Sequence, residues 1–119
     1  MKLDTSNMVS LHPYFKAKAG KLEQIKALMA DFVGRTATEN DRLFYDFTLN
    51  GDEIFCREAY TGAAGALAHL DNVSALLGEM AKLADLERLE IHGPAAELEK
   101  LKPLLAKLNP IWFTRECGL

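Results

Sequence analysis

Between Arg42 and Leu70 the chain reads RLFYDFTLNGDEIFCREAYTGAAGALAHL, which holds a carboxylate, an imidazole and two phenols within reach of one hairpin and the helix after it. Two alternating runs flank Asn50-Gly51, and Asn and Gly tolerate the positive φ angles of a type I′ turn. With those two residues as the loop, Leu49 faces Asp52, Phe47 faces Ile54, Tyr45 faces Cys56 and Leu43 faces Glu58. One face of the ribbon then carries Leu43, Tyr45, Phe47, Ile54, Cys56, Glu58 and Tyr60, apolar apart from the carboxylate and the phenols. Thr61 suits the N-cap of a helix that returns His69 to the sheet. A carboxyl on such a face holds its proton unless a cation such as Arg57 reaches it, and an imidazole titrates near neutrality. His69 and Glu58 are therefore the candidate catalytic residues, either of which could remove a proton. Tyr45 and Tyr60 are candidate substrate-binding residues, and His12, on a neighbouring strand, is the likeliest further member of the cluster. The competing structural accounts are an ion pair involving Glu58 and His69, and amphipathic packing of the tyrosines. Cys56 has only Arg57 as a basic neighbour and reads as inert core.

The elements that must position these groups follow from periodicity. Met1 to Asn7 is a polar lead-in, and Met8 to Phe15 alternates as a first strand, with Val9, Leu11 and Phe15 on one side and Ser10, His12 and Tyr14 on the other. Pro13 lacks an N–H, which predicts an edge position or an interruption near the strand's end. Leu22, Ile25, Leu28, Met29, Phe32 and Val33 recur at helical spacing to about Thr38. After the hairpin, Gly62 to Leu83 is helical and divided at Asp71-Asn72, where Asn72 suits a cap. Leu86 to His92 is a fourth strand. Gly93-Pro94 opens a helix in which Pro103 predicts a kink or restart, and Ile111 to Glu116 is a fifth strand containing Trp112.

The first six elements follow the split βαβ order, so the fold class is α+β: a ferredoxin-like antiparallel sheet with an appended C-terminal helix and strand. Such a sheet carries its helices on one face. Phe44, Phe55 and Ala59 oppose the apolar face of the hairpin, so the second face also needs cover. Face-to-face homodimerisation, closing two sheets into a barrel, supplies it.

A chain of 119 residues is a single domain, 1–119, with a core over about 8–92 and an extension over 93–119. A net charge of −3, without clustered basic and aromatic residues, argues against nucleic acid and anionic membrane surfaces as partners. Two cysteines make neither a disulfide framework nor a metal-ligand spacing, and no nucleotide-binding glycine motif or Ser–His–Asp signature is present. No metal or cofactor is expected. No apolar run has the length of a signal peptide or membrane span, and cytoplasmic is the expected location.

LxYDFxxNGDExxxxEAY followed by ALAHL resembles the antibiotic biosynthesis monooxygenase-like superfamily of dimeric α+β barrels, over roughly Leu11 to His92. What recurs there is matched by Tyr45, by Glu58 with Tyr60, and by Ala66 with His69; Glu39 matches a frequent acidic residue. The resemblance implies a cofactor-independent monooxygenase that oxidises a small phenol or quinol with dioxygen. Quinol-type members carry a second His where this chain has Asp71-Asn72-Val73-Ser74, and the residues of the haem-degrading branch are not matched. The alternative is a non-catalytic dimeric barrel that binds a small apolar ligand. An enclosed pocket touching Glu58 and His69, as against a site filled by side chains, is the observation that discriminates between these two readings.

Overall fold

The computed structural model describes residues 3–119; of the expected lead-in, Met1 and Lys2 lie outside the described residues. The elements run β1 (Met8–Ala17), α1 (Leu22–Thr36), β2 (Arg42–Asn50), β3 (Glu53–Thr61), α2 (Gly62–Asn72), α3 (Ser74–Leu83), β4 (Ala84–Gly93), α4 (Ala95–Leu105), a 3-10 turn (Ala106–Leu108) and β5 (Ile111–Thr114). They form one sheet of order β2-β3-β1-β4-β5, antiparallel throughout except for the parallel pairing of β5 with β4. This is the ferredoxin-like arrangement with an added edge strand. No helix among the described residues is long and apolar enough to cross a membrane.

Pro13 does not send β1 to an edge. β1 occupies the centre of the sheet, and the missing N–H is absorbed locally: its ladder with β3 passes from Leu11↔Glu58 to Tyr14↔Phe55, and its register with β4 shifts between Tyr14 and Phe15. The hairpin turn also differs from the expected one. Asn50 pairs with Glu53, so Gly51 and Asp52 are the loop, and only Gly51 (φ 61°) takes a positive φ. Tyr45 therefore sits opposite Glu58 and Phe47 opposite Cys56, two residues from the expected partners. A shift of two leaves every side chain on its original face, because the period of a strand is two.

The helices cover one sheet face through two apolar clusters. Val9, Leu11, Tyr60 and Ile91 pack with α2 and α4 through Ala63, Ala66, Leu98 and Leu101. Ala17, Ile54 and Ala84 pack with α1 and α3 through Ile25, Leu28, Phe32 and Met80. Asn72 is not a side-chain cap: it is the last residue of α2, and α3 begins after Val73. The α4 helix runs through Pro103 for two residues before tightening into the 3-10 turn, which ends at Asn109 in the left-handed region (φ 51°). Its Glu97 accepts a hydrogen bond from the Ala63 N–H at 2.9 Å, satisfying one of the free donors at the start of α2.

Candidate functional site

The site is assembled where α2 lies close against β3. In GAAGALAHL the buried positions Gly62, Ala63, Gly65 and Ala66 are small, which lets the helix backbone approach the sheet. A Cβ at Gly65 would lie 2.9 Å from the Asp41 Cβ and 3.2 Å from the Tyr60 Cβ. One turn later on the same helix face comes His69, whose ring stacks on Tyr60 with centroids 4.7 Å apart.

His69 bridges two carboxyl groups. Its Nδ1 is 2.9 Å from Glu39 Oε2, and its Nε2 is 3.4 Å from Glu58 Oε1, within ion-pair range but long for a hydrogen bond. Glu39 lies in the loop between α1 and β2 and is held by Asn72, whose Nδ2 donates to Glu39 Oε2 at 2.8 Å and to the Arg35 carbonyl at 2.9 Å. Arg35 returns a bond from its guanidinium to the Asn72 carbonyl. On the far side, the Tyr60 hydroxyl donates to Glu58 Oε1 at 2.8 Å. The order Asn72, Glu39, His69, Glu58, Tyr60 is a continuous polar path through an apolar interior, with Glu58 and His69 only 5 % and 2 % exposed.

Burial sets the proton affinities. It pushes the Glu58 carboxyl up to about 7, against the opposing hydrogen bond from Tyr60. It lowers the affinity of His69 for a proton, an effect that the bond to Glu39 opposes. With Nδ1–H donated to Glu39, the Nε2 lone pair faces a Glu58 that is a carboxylic acid over much of the acidic to neutral range. Burial likewise raises the Tyr45, Tyr60 and Cys56 groups, so none of them ionises near neutrality.

Between the two apolar clusters lies a cavity of about 380 Å³. Glu58, His69, Tyr45 and Cys56 reach it; the rest of its wall is apolar except for Asp85, and includes Leu105 and Leu108 from the C-terminal extension. The expected trio of Tyr45, Glu58 and His69 thus shares one cavity wall. Tyr60 does not line it: fully buried, it lies behind Glu58 and His69 and does not offer its hydroxyl to a ligand. His12 is on the opposite sheet face, because it is Leu11 that pairs with Glu58 and points inward. There it bonds Ser10 at 2.8 Å and packs against His92 and Phe55. Glu39 and Asn72 complete the polar path without having been singled out by spacing; only the acidic match at Glu39 pointed to either.

No protein-family profile and no curated protein matches the chain. Among solved structures, it is similar to a putative antibiotic biosynthesis monooxygenase from Chloroflexus aurantiacus J-10-fl at 21% identity and TM-score 0.60, covering 74% of this chain and 93% of that one. It is similar to Rv0793 from Mycobacterium tuberculosis at 18% identity and TM-score 0.65, covering 73% and 94%. Both likenesses are of fold. MupZ from Pseudomonas fluorescens is similar at 39% identity and TM-score 0.92, over 95% of this chain and 93% of MupZ, so its likeness includes the C-terminal helix and strand. The chain belongs to the family of MupZ, built on the antibiotic biosynthesis monooxygenase-like fold.

Proposed function

We propose that the chain is an acid–base enzyme that acts, without a bound cofactor, on a small and largely apolar molecule in the cavity beside Glu58 and His69. The observation that carries this reading is the pairing of a buried carboxylic acid with an imidazole whose other nitrogen is fixed by Glu39. His69 Nε2 takes a proton from the substrate, and Glu39 stabilises the imidazolium that forms. The Glu58 carboxyl delivers its proton to the oxygen on which negative charge develops, and Tyr45 orients that oxygen. An apolar wall strengthens each of these interactions by keeping water away.

Oxygenation of a phenol or quinol is the second reading, favoured by the monooxygenase-like fold and by a base facing a largely apolar cavity. Here His69 removes the phenolic proton and the substrate anion transfers electrons to dioxygen. A ring C–H carbon becomes the second carbonyl of a quinone, which retains one oxygen atom of dioxygen, and the other leaves as water with the hydrogens of that C–H and of the phenol O–H.

A substrate panel of phenols, quinols and enolisable ketones, followed under nitrogen in D₂O and under ¹⁸O₂, separates the two. Deuterium incorporation or isomerisation under nitrogen, lost in His69→Ala, supports the acid–base reading. Turnover only with dioxygen, with ¹⁸O in the product, replaces it with the second. No turnover with either sinks both for these substrate classes and favours ligand binding alone.

A further inference from the structure

The cavity wall contains no lysine or arginine among the described residues. The groups near its polar end are Glu58 and Cys56 from β3, Tyr45 from β2 and His69 from α2, with Glu39 behind His69 and Tyr60 behind Glu58; Asp85, exposed at the start of β4, borders the opposite end, level with Lys16 rather than Leu11 on β1. Nearby cations are engaged elsewhere. Arg35 donates to the Asn72 carbonyl, Arg57 pairs with Asp46 on the other sheet face, and Arg88 pairs with Glu90. A ligand at the polar end therefore meets the Glu58 carboxyl and one imidazole backed by the Glu39 carboxylate, with no permanent positive charge. Transfer of an anion from water into an apolar chamber is costly unless a cation meets it, and neighbouring carboxylates add to that cost.

We infer that the cavity selects by charge: it takes an uncharged apolar body with a single hydrogen-bonding oxygen, such as a ketone, alcohol or phenol, and rejects carboxylates of the same shape. The inference rests on the cavity being the substrate site proposed above, and it narrows the substrate class to neutral molecules. The carboxyl of Glu58 donates to a neutral acceptor oxygen, whereas a carboxylate enters only by sharing a proton with Glu58 or His69. Its binding then requires proton uptake and weakens as the pH rises.

Calorimetric titration with two matched pairs, 2-nonanone against nonanoate and 4-propylphenol against 4-propylbenzoate, tests this. At about pH 8 the neutral member of each pair binds at least about tenfold more tightly. The gap narrows toward about pH 5.5, with proton uptake read from the buffer dependence of the nonanoate enthalpy. In Glu58→Gln the gap at the higher pH shrinks, because one of the repelling charges is gone. Equal or tighter binding of the carboxylates at about pH 8 overturns the inference, as does the failure of both neutral probes to bind. An unchanged gap in the variant overturns the role given to Glu58. Charge-selective binding with no turnover leaves the inference standing and removes only the catalytic reading.

Discussion

Glu58 and His69 respond to burial in opposite senses, and this makes folding stability a reporter of their protons. The Glu58 carboxyl rises from an ordinary value of 4.5 to about 7, so between those values the folded chain holds a proton that the unfolded chain has released. Its contribution to stability therefore falls as pH rises through that window, by on the order of 3 kcal/mol at most. His69, with its proton affinity lowered from an ordinary 6.5, works the other way: the unfolded chain is protonated first, and stability is lost as pH falls below that value. Urea denaturation across pH should show Glu58→Gln lacking the decline toward neutral pH while the acid-side loss persists. Tyr60→Phe removes the donor that steadies the Glu58 anion, so an infrared titration of the carboxyl band should move upward from the parent's midpoint. An unmoved midpoint would assign Tyr60 to packing alone. The trio Tyr45, Glu58 and His69 was legible because strand parity survives a register error of two. The same parity opposes His12 to Leu11, and therefore places His12 on the far face. Depth was not legible: alternation assigns Tyr60 to the correct face and is silent on whether it meets a ligand or lies behind one.

At the scale of elements, the joint between α1 and α2 decides whether His69 is held. Asn72 ties the end of α2 to the Arg35 carbonyl and to Glu39, so one side chain couples two helices and the carboxylate that fixes the imidazole. Asn72→Ala should cost about 1–3 kcal/mol by urea denaturation, and should weaken the support that Glu39 gives to a protonated His69. An NMR titration of the His69 ring would then show protonation at lower pH than in the parent. This joint was not legible, since an Asn at a helix junction suits a cap by local chemistry, and only the packed neighbour shows which oxygens it serves. At β1 the local rule for Pro13 left two outcomes open, an edge or an interruption; pairing on both sides of the strand outweighed one lost donor, and the strand took the interruption. The helices, by contrast, were legible to within a few residues because their apolar positions recur over successive turns, as Ile25, Leu28 and Phe32 do in α1.

At the scale of the whole molecule, four helices cover one sheet face and leave the other with Tyr14, Phe55, His12, His92 and Phe113 in successive ring contacts. Phe44 and Phe113 are exposed at 39% and 40%. We propose that a second copy of the chain covers this face, as the bare second face of the sheet led us to expect. An interface of that kind buries on the order of 2,000 Å² or more and makes the melting temperature rise with protein concentration. Sedimentation should give a dimer at micromolar concentration, and Phe55→Arg should yield monomers with a lower, concentration-independent melt. A monomeric parent would defeat the proposal. The ferredoxin-like class was legible from the split βαβ order of the elements, but the parallel seat of β5 beside β4 was not, since a four-residue strand carries too little pattern to name its neighbour. The central seat of β1 has a consequence for birth on the ribosome. β1 is made before either strand that it pairs with, and its partners lie far downstream, Thr61 for Met8 and His92 for Ser10. At roughly 5–20 residues per second, synthesis leaves β1 without a ladder for several seconds. Through that interval an amphipathic strand, with Val9, Leu11 and Phe15 along one side, waits in solution; the β2–β3 hairpin closes on its own, β1 joins it only after Thr61 has emerged, and the ladder with β4 waits for His92.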